Sequence, residues 1–256
     1  MNNLKEELKK EINRLYSADG VKGLDNWGKV RTADQFDKKV IKYDFGERTC
    51  FQKKDDQVYA DLQASRGLSL DPEKSIEENL NQITKDSQDL PSNDIVRIQE
   101  LMDFDIFDSL DNFIELGFRS PRLLEFYKQY FSNCIGYDIV KANVLASQCL
   151  GYNCEVHDLS SQEDIDLKEK SLVVAYHVFE HLPDPLNTLR KIYNNLCKES
   201  YFHIEIPLES VEDPVVRYAH CTSFRLDDLK FMLKEAGFSV LFNTVGGNTQ
   251  RILARK

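Results

Sequence analysis

Three histidines and a glutamate form the group of residues best suited to chemistry, because these side chains transfer protons and bind metals. His177, Glu180 and His181 are spaced i, i+3 and i+4, so a helical turn would put all three on one face. His220 follows in the loop segment RYAHCTSF. Two interpretations stay open. Glu180 and His181 support a local turn, or the three residues bind a divalent metal, with His220 as a fourth ligand. An imidazole-rich site would favour Zn, Fe, Co or Mn.

These residues lie in a region of alternating strands and helices that begins at Asn112. The predicted strands are Phe113–Leu116, Cys134–Tyr137, Asn153–Val156, Leu172–Tyr176, Tyr201–Ile206, Ser239–Thr244 and Arg251–Ala254. The predicted helices lie near Pro121–Phe131, Val140–Leu150, Pro185–Leu196 and Leu226–Ala236. This alternation predicts a doubly wound α/β fold, in which a mainly parallel sheet of seven strands has helices on both faces.

The stretch from Asn112 to Asp138 reads as strand, turn, helix and second strand. A helix that begins after the first strand and an acid that ends the second are typical of a nucleoside-cofactor pocket. The turn has one glycine, Gly117, and Arg119 and Pro121 stand where such turns usually have two more. A nicotinamide-dependent oxidoreductase would need G-x-G-x-x-G. The sequence G-F-R-S-P therefore argues against that class.

Residues 1–105 differ from residues 106–256 and predict a mostly helical and irregular N-terminal extension. Leu4, Leu8, Ile12 and Leu15 recur at helical spacing. Asp71-Pro72-Glu73 predicts the start of a helix that runs to about residue 89, and a short helix is predicted over 94–102. Residues 21–67 show no clear period, which indicates irregular or short-stranded structure. The extension covers a sheet edge in one interpretation and closes over substrate as a lid in the other.

The composition indicates a soluble globular protein of the cytoplasm. The net charge is −10, which argues against a broad nucleic-acid interface. The apolar runs are too short to cross a membrane, and the charged N-terminus lacks the apolar centre of a signal peptide. The six cysteines form no C-x-x-C pair, which predicts reduced thiols.

Residues 111–256 resemble the class I S-adenosylmethionine (SAM)-dependent methyltransferases. The resemblance rests on six landmarks in the family's order, namely FIELG at Phe113, GYD at Gly136, VHDL at Val156, VVAYHVFEHLPDP at Val173, HIEIP at His203 and HCTSFRLDDLKFMLKEAGFSV at His220. It implies that 106–256 is the SAM-binding domain.

The resemblance also implies the roles of particular residues. Glu115 and Gly117 would flank the methionine end of SAM, and Asp138, followed by Ile139, would hold the ribose hydroxyls. Asp158 would receive the adenine amino group. His177 would lie beside the cofactor in the segment beneath the transferable methyl group. Some methyltransferases that have an acid before a Glu-His pair bind a metal at this point, and here a histidine replaces that acid.

The enzymes that this chain resembles point to methyl transfer onto a hydroxyl of a small polar acceptor, such as a sugar, sugar nucleotide or phosphorylated metabolite. Similar O-methyltransferases serve bacterial glycan and natural-product pathways. His220 is the first candidate for the general base and His181 the second. Arg217, Tyr218 and Arg225 could bind an anionic acceptor. The alternative is a catalytically inactive methyltransferase fold that acts as a binding or regulatory protein, because the turn lacks two glycines.

Overall fold

The computed structural model describes residues 2–16, 36–55, 59–60, 63, 70–209 and 220–256. The helices are α1 (Asn2–Leu15), α2 (Ile76–Gln88), α3 (Ser92–Met102), α4 (Arg122–Tyr127), α5 (Lys141–Cys149), α6 (Pro185–Asn195) and α7 (Asp228–Ala236). Two short 3₁₀ helices cover Phe107–Ser109 and Phe179–His181. None of the described helices is long and apolar enough to cross a membrane.

Seven strands form the main sheet, namely β3 (Asn112–Leu116), β4 (Asn133–Asp138), β5 (Asn153–Val156), β6 (Ser171–Tyr176), β7 (Tyr201–Pro207), β8 (Ser239–Gly246) and β9 (Thr249–Arg255). Their spatial order is β5-β4-β3-β6-β7-β9-β8. The first five run parallel, and β9 is antiparallel to both β7 and β8. The predicted doubly wound α/β fold with a seven-stranded, mainly parallel sheet is confirmed.

Apolar side chains on both faces of β3 explain why helices cover both sides of the sheet. Every residue of β3 is buried, as expected of a central parallel strand. Phe113 packs into one of the two large core clusters, whereas Ile114 and Leu116 pack into the other. Successive side chains of a strand point to opposite faces, so this one strand contributes to both layers.

The order of the strands also creates the crevice of the fold. Strand β3 pairs with β4 on one side and with β6 on the other. Connections that leave neighbouring strands in opposite directions open a cleft at the carboxyl ends of the strands, where ligands bind in this class of fold. The carboxyl ends of β3, β4 and β6 carry Glu115, Asp138 and His177, which therefore meet at this cleft.

Two features of the N-terminal region differ in detail from the sequence prediction. The helix predicted from Asp71 begins at Ile76, because Ser75 and Glu78 form a capping box that satisfies the first turn. Within the stretch predicted as irregular or short-stranded, β1 (Phe36–Tyr43) and β2 (Gly46–Lys53) form an antiparallel hairpin. This hairpin contacts the segment before α7, where the Phe51 amide donates to the Cys221 carbonyl over 2.8 Å.

Candidate active site

A cavity of about 390 Å³ lies at the carboxyl ends of β3, β4 and β6. Its walls bring together all six residues predicted to bind cofactor and one of the two predicted bases. These residues are Glu115, Gly117, Asp138, Ile139, Asp158, His177 and His181. The other predicted base, His220, is buried and lies behind His181, with the two rings edge to face and their centroids 4.8 Å apart.

The turn after β3 wraps around Asp138 even though it has a single glycine. Gly117 has φ +73° and Arg119 has φ +45°, so both lie in the left-handed region. The Arg119 amide donates to Asp138 Oδ2 over 3.0 Å, and the Val140 amide donates to Oδ1 over 2.7 Å. The side chain of Arg119 is exposed. The turn thus reaches the required backbone conformation with an arginine in place of a second glycine.

Glu115 has a buried carboxyl oxygen that a cationic group of a ligand could satisfy. Its side chain is buried, and Oε2 has no hydrogen-bond partner among the described residues. Burial and the nearby Asp94 carboxylate raise its pKa well above the usual value. An ammonium group placed here would satisfy the oxygen, as the amino-acid end of SAM can. The chemistry of this wall therefore fits the cofactor.

Asp158 interacts with a residue from the N-terminal hairpin. The Lys53 ammonium donates to Asp158 Oδ2, and the amide and hydroxyl of Ser160 donate to Oδ1 over 2.9 and 2.7 Å. Burial would raise the pKa of Asp158, but these hydrogen bonds lower it below the usual carboxyl value. The carboxylate is charged at neutral pH and already holds a cation.

His177 lies between two carboxylates. Its Nε2 is 2.8 Å from Glu205 Oε1, and its Nδ1 is 3.3 Å from Glu180 Oε1. Burial would lower the pKa of His177, but the hydrogen bonds to Glu180 and Glu205 raise it to about 9. The imidazole is therefore protonated at neutral pH, and neither nitrogen is available to a metal. His177 does not join the group of candidate metal ligands.

The other three candidate metal ligands do come together. One ligand atom from each of Glu180, His181 and His220 lies within 4.8 Å of the other two. Glu180 is buried, and its Oε2 has no hydrogen-bond partner among the described residues. His220 Nδ1 is 2.8 Å from Glu209 Oε1, so this carboxylate orients the ring. The group can serve as an acid–base cluster or hold a small cation.

Several residues that shape the site carried no sequence signal. Tyr59 and Gln63 line the cavity; the Tyr59 hydroxyl donates to the His181 carbonyl, and the Gln63 amide is 3.3 Å from His181 Nδ1. They come from the stretch without a clear period, so no motif could mark them. Arg225 is exposed, and the prediction for Arg217 and Tyr218 lies outside the described residues.

Comparisons with known proteins agree with this fold. A family profile described as "Methyltransferase domain" matches residues 88–242, which is more than half of the chain. A SAM-dependent methyltransferase from Aquifex aeolicus is similar in structure, with 17% identity, a TM-score of 0.51, and coverage of 68% of this chain and 97% of that one.

A chain of the complex between the Haloferax volcanii Trm112 methyltransferase activator and a methyltransferase is also similar. It has 14% identity and a TM-score of 0.50, and the match covers 59% of this chain and 87% of that one. At these identities the structural likeness shows the fold alone. A comparison with curated proteins gave no match.

Proposed function

Because the chain belongs to the methyltransferase-domain family and its cofactor is SAM, we propose that it methylates a hydroxyl of a small polar acceptor. The acceptor classes proposed are a sugar, a sugar nucleotide or a phosphorylated metabolite, as in bacterial glycan and natural-product pathways. One observation carries the proposal: the six residues expected to bind cofactor share one cavity with a histidine, His181.

The proposed cofactor contacts follow the cavity from one end to the other. Glu115 binds the ammonium group of the methionine end, and Gly117 lets backbone approach the cofactor without a Cβ. Asp138 and Ile139 hold the ribose, and Asp158 accepts from the adenine amino group. When bound, SAM supplies an electrophilic methyl group on a sulfonium.

Methyl transfer to a hydroxyl is helped by a base that accepts the hydroxyl proton, and this base must be uncharged near neutral pH. His177 does not suit this role, because a pKa of about 9 keeps it protonated. His181 lines the cavity, whereas His220 lies behind it. We therefore assign proton transfer from the hydroxyl to the His181 imidazole. His220, which Glu209 orients, supports that ring.

Calorimetry with S-adenosylhomocysteine tests cofactor binding. The wild-type protein should bind it, and Asp138→Ala should lower the affinity at least about tenfold, because a hydrogen-bonded carboxylate is lost. Asp166→Ala is the matched control, since this acid is 70% exposed and should leave binding unchanged. No heat at millimolar ligand would contradict the enzyme proposal.

Product release in assays with a pool of polar acceptors tests catalysis. His181→Ala should reduce turnover by ~10²-fold or more with an unchanged dissociation constant for S-adenosylhomocysteine, because a base acts on the acceptor alone. Tight cofactor binding without turnover on any acceptor would favour the alternative, an inactive fold that serves as a binding or regulatory protein.

A metal-assisted reaction is a second candidate, favoured by the proximity of Glu180, His181 and His220. A divalent cation there would polarise the acceptor oxygen and lower the pKa of its hydroxyl. Zinc or manganese titrated into chelator-treated protein should bind with one-to-one stoichiometry, and Glu180→Gln should abolish binding. A wild-type protein that binds neither ion would refute this candidate.

The N-terminal region is the proposed lid of this site, with residues 1–105 as an extension of the domain at 106–256. The support comes from Tyr59 and Gln63, which line the cavity and contact His181. In α3, Arg97 is buried between Asp94 and Glu205, and this ion pair joins the extension to β7. The extension therefore contributes to the site as well as covering the sheet.

A further inference from the structure

Lys53 contacts two residues of the cavity wall, Asp158 and Tyr59, and lies outside the methyltransferase landmarks. It is the last residue of β2, and its ammonium bonds to Asp158, 105 positions further along the chain. The two side chains are 12% and 21% exposed. The ammonium also lies 5.0 Å from the centroid of the Tyr59 ring, and both Tyr59 and Asp158 line the cavity.

The end of β2 is held in place by contacts with the segment that carries His220. The Phe51 amide donates to the Cys221 carbonyl over 2.8 Å, and Cys50 forms an isolated antiparallel bridge with Thr222. The Thr222 amide in turn donates to the Glu180 carbonyl over 2.9 Å. These contacts fix the position of the strand two residues before Lys53, and the backbone therefore holds the Lys53 side chain near Asp158.

An ammonium and a carboxylate side by side offer a hydrogen-bond donor next to an acceptor. The six-membered ring of adenine presents the complementary pair, because its amino group donates and the adjacent ring nitrogen N1 accepts. Burial of this ion pair also costs desolvation of both charges, and such a pair adds little stability by itself. A role in binding gives this cost a physical reason.

We propose that Lys53 is a cofactor-binding residue that donates to N1 of the adenine, while Asp158 accepts from the neighbouring amino group. The inference rests on the proposed function, in which Asp158 faces the adenine. It adds a residue of the N-terminal hairpin to the cofactor site, so the hairpin takes part in the recognition of adenine.

The test is a double-mutant cycle between protein and ligand, measured by calorimetry. The two proteins are wild type and Lys53→Met, which removes the charge but keeps a chain of similar length. The two ligands are S-adenosylhomocysteine and its analogue with CH in place of N1. Wild type should bind the analogue about tenfold more weakly, as expected for loss of a hydrogen bond to a charged donor. Lys53→Met should bind both ligands within about twofold of each other.

Lys54→Met is the matched control, because Lys54 is the next residue, is half-exposed and pairs with Asp37 over 3.5 Å. It should keep the wild-type preference for N1. Equal affinity of wild type for the two ligands would overturn the inference without any variant, and so would the same loss in wild type and Lys53→Met. Absence of S-adenosylhomocysteine binding to wild type would instead contradict the proposed function.

Discussion

Replacement of Gly117 by alanine probes the turn on which the cofactor site depends. Gly117 has φ +73°, and a Cβ built there would lie 2.4 Å from Val178 Cγ2. Two penalties therefore act together: a left-handed conformation that alanine rarely adopts, and a clash with a β-branched side chain. Val178 belongs to the segment between β6 and the Glu-His pair, so relief of the clash would shift the cavity wall.

The size of the effect follows from these two terms. The left-handed conformation costs an L-residue ~1–2 kcal/mol. Overpacking by one methyl group costs ~1–3 kcal/mol. The free energy of unfolding should therefore fall by about 2 to 5 kcal/mol, which lowers the melting temperature by roughly 10 °C in a chain of this size.

Thermal and denaturant unfolding of four variants separates the two terms: Gly117→Ala, Gly151→Ala, Val178→Ala and the double variant Gly117→Ala/Val178→Ala. Gly151 has φ +89° and nothing within 4 Å of a built Cβ, so Gly151→Ala should show the conformational cost alone. Adding Val178→Ala to Gly117→Ala removes the clashing Cγ2 and should recover at least about 1 kcal/mol relative to additivity. Equal destabilisation by Gly117→Ala and Gly151→Ala, with no recovery in the double variant, would refute the reasoning.

Two further predictions concern charged side chains that line the cavity, Arg97 and His177. Arg97→Met should lower the free energy of unfolding by ~1–3 kcal/mol, because Asp94 and Glu205 each lose a charged hydrogen bond. The loss stays in this range since Asp94 keeps Arg122, and Glu205 keeps Arg251 and His177. His177→Asn should flatten the pH dependence of stability between about 6.5 and 9. The pKa of His177 is raised from 6.5 to about 9 in the folded protein, so its contribution is full below 6.5 and is lost as the pH rises to 9. Asparagine is chosen because it tolerates φ +56°.

Each of these two predictions has a matched control, measured by the same denaturant titrations. Arg190 is half-exposed and pairs with Glu235 over 2.7 Å, so Arg190→Met should change stability by less than about 1 kcal/mol. A similar loss of unfolding free energy in both arginine variants would show that the buried ion pairs of Arg97 stabilise the protein no more than an exposed pair does. For His177, identical slopes of stability against pH in wild type and His177→Asn would show that its two carboxylate contacts do not hold the proton.

The lid proposal and the inference about Lys53 give the N-terminal region two separable roles. Loss of the Tyr59 and Gln63 contacts should affect His181 and therefore turnover. Loss of Lys53 should affect recognition of the adenine. Turnover and cofactor affinity should be measured separately for variants of both groups. The two readouts distinguish closure over the acceptor from contact with the adenine.

The residue pattern predicts the fold and places acidic side chains at the ends of the strands. A continuous apolar run such as Leu172–Tyr176 of β6 predicts a buried parallel strand, because side chains at such positions pack on both faces of the sheet. The carboxyl ends of such strands must then share one edge of the sheet. Glu115, Asp138 and His177 could therefore be assigned to one cleft before any coordinates were known.

The charge states and partners of these side chains depend on contacts between residues that are distant in the chain. Glu205 holds His177 as a cation, and Lys53 bonds to Asp158 from 105 residues away. Local spacing carries no information about such pairs, because they depend on how the hairpin and α3 pack against the sheet. For the same reason, the choice between His181 and His220 as the residue facing the cavity needed the position of the loop before α7.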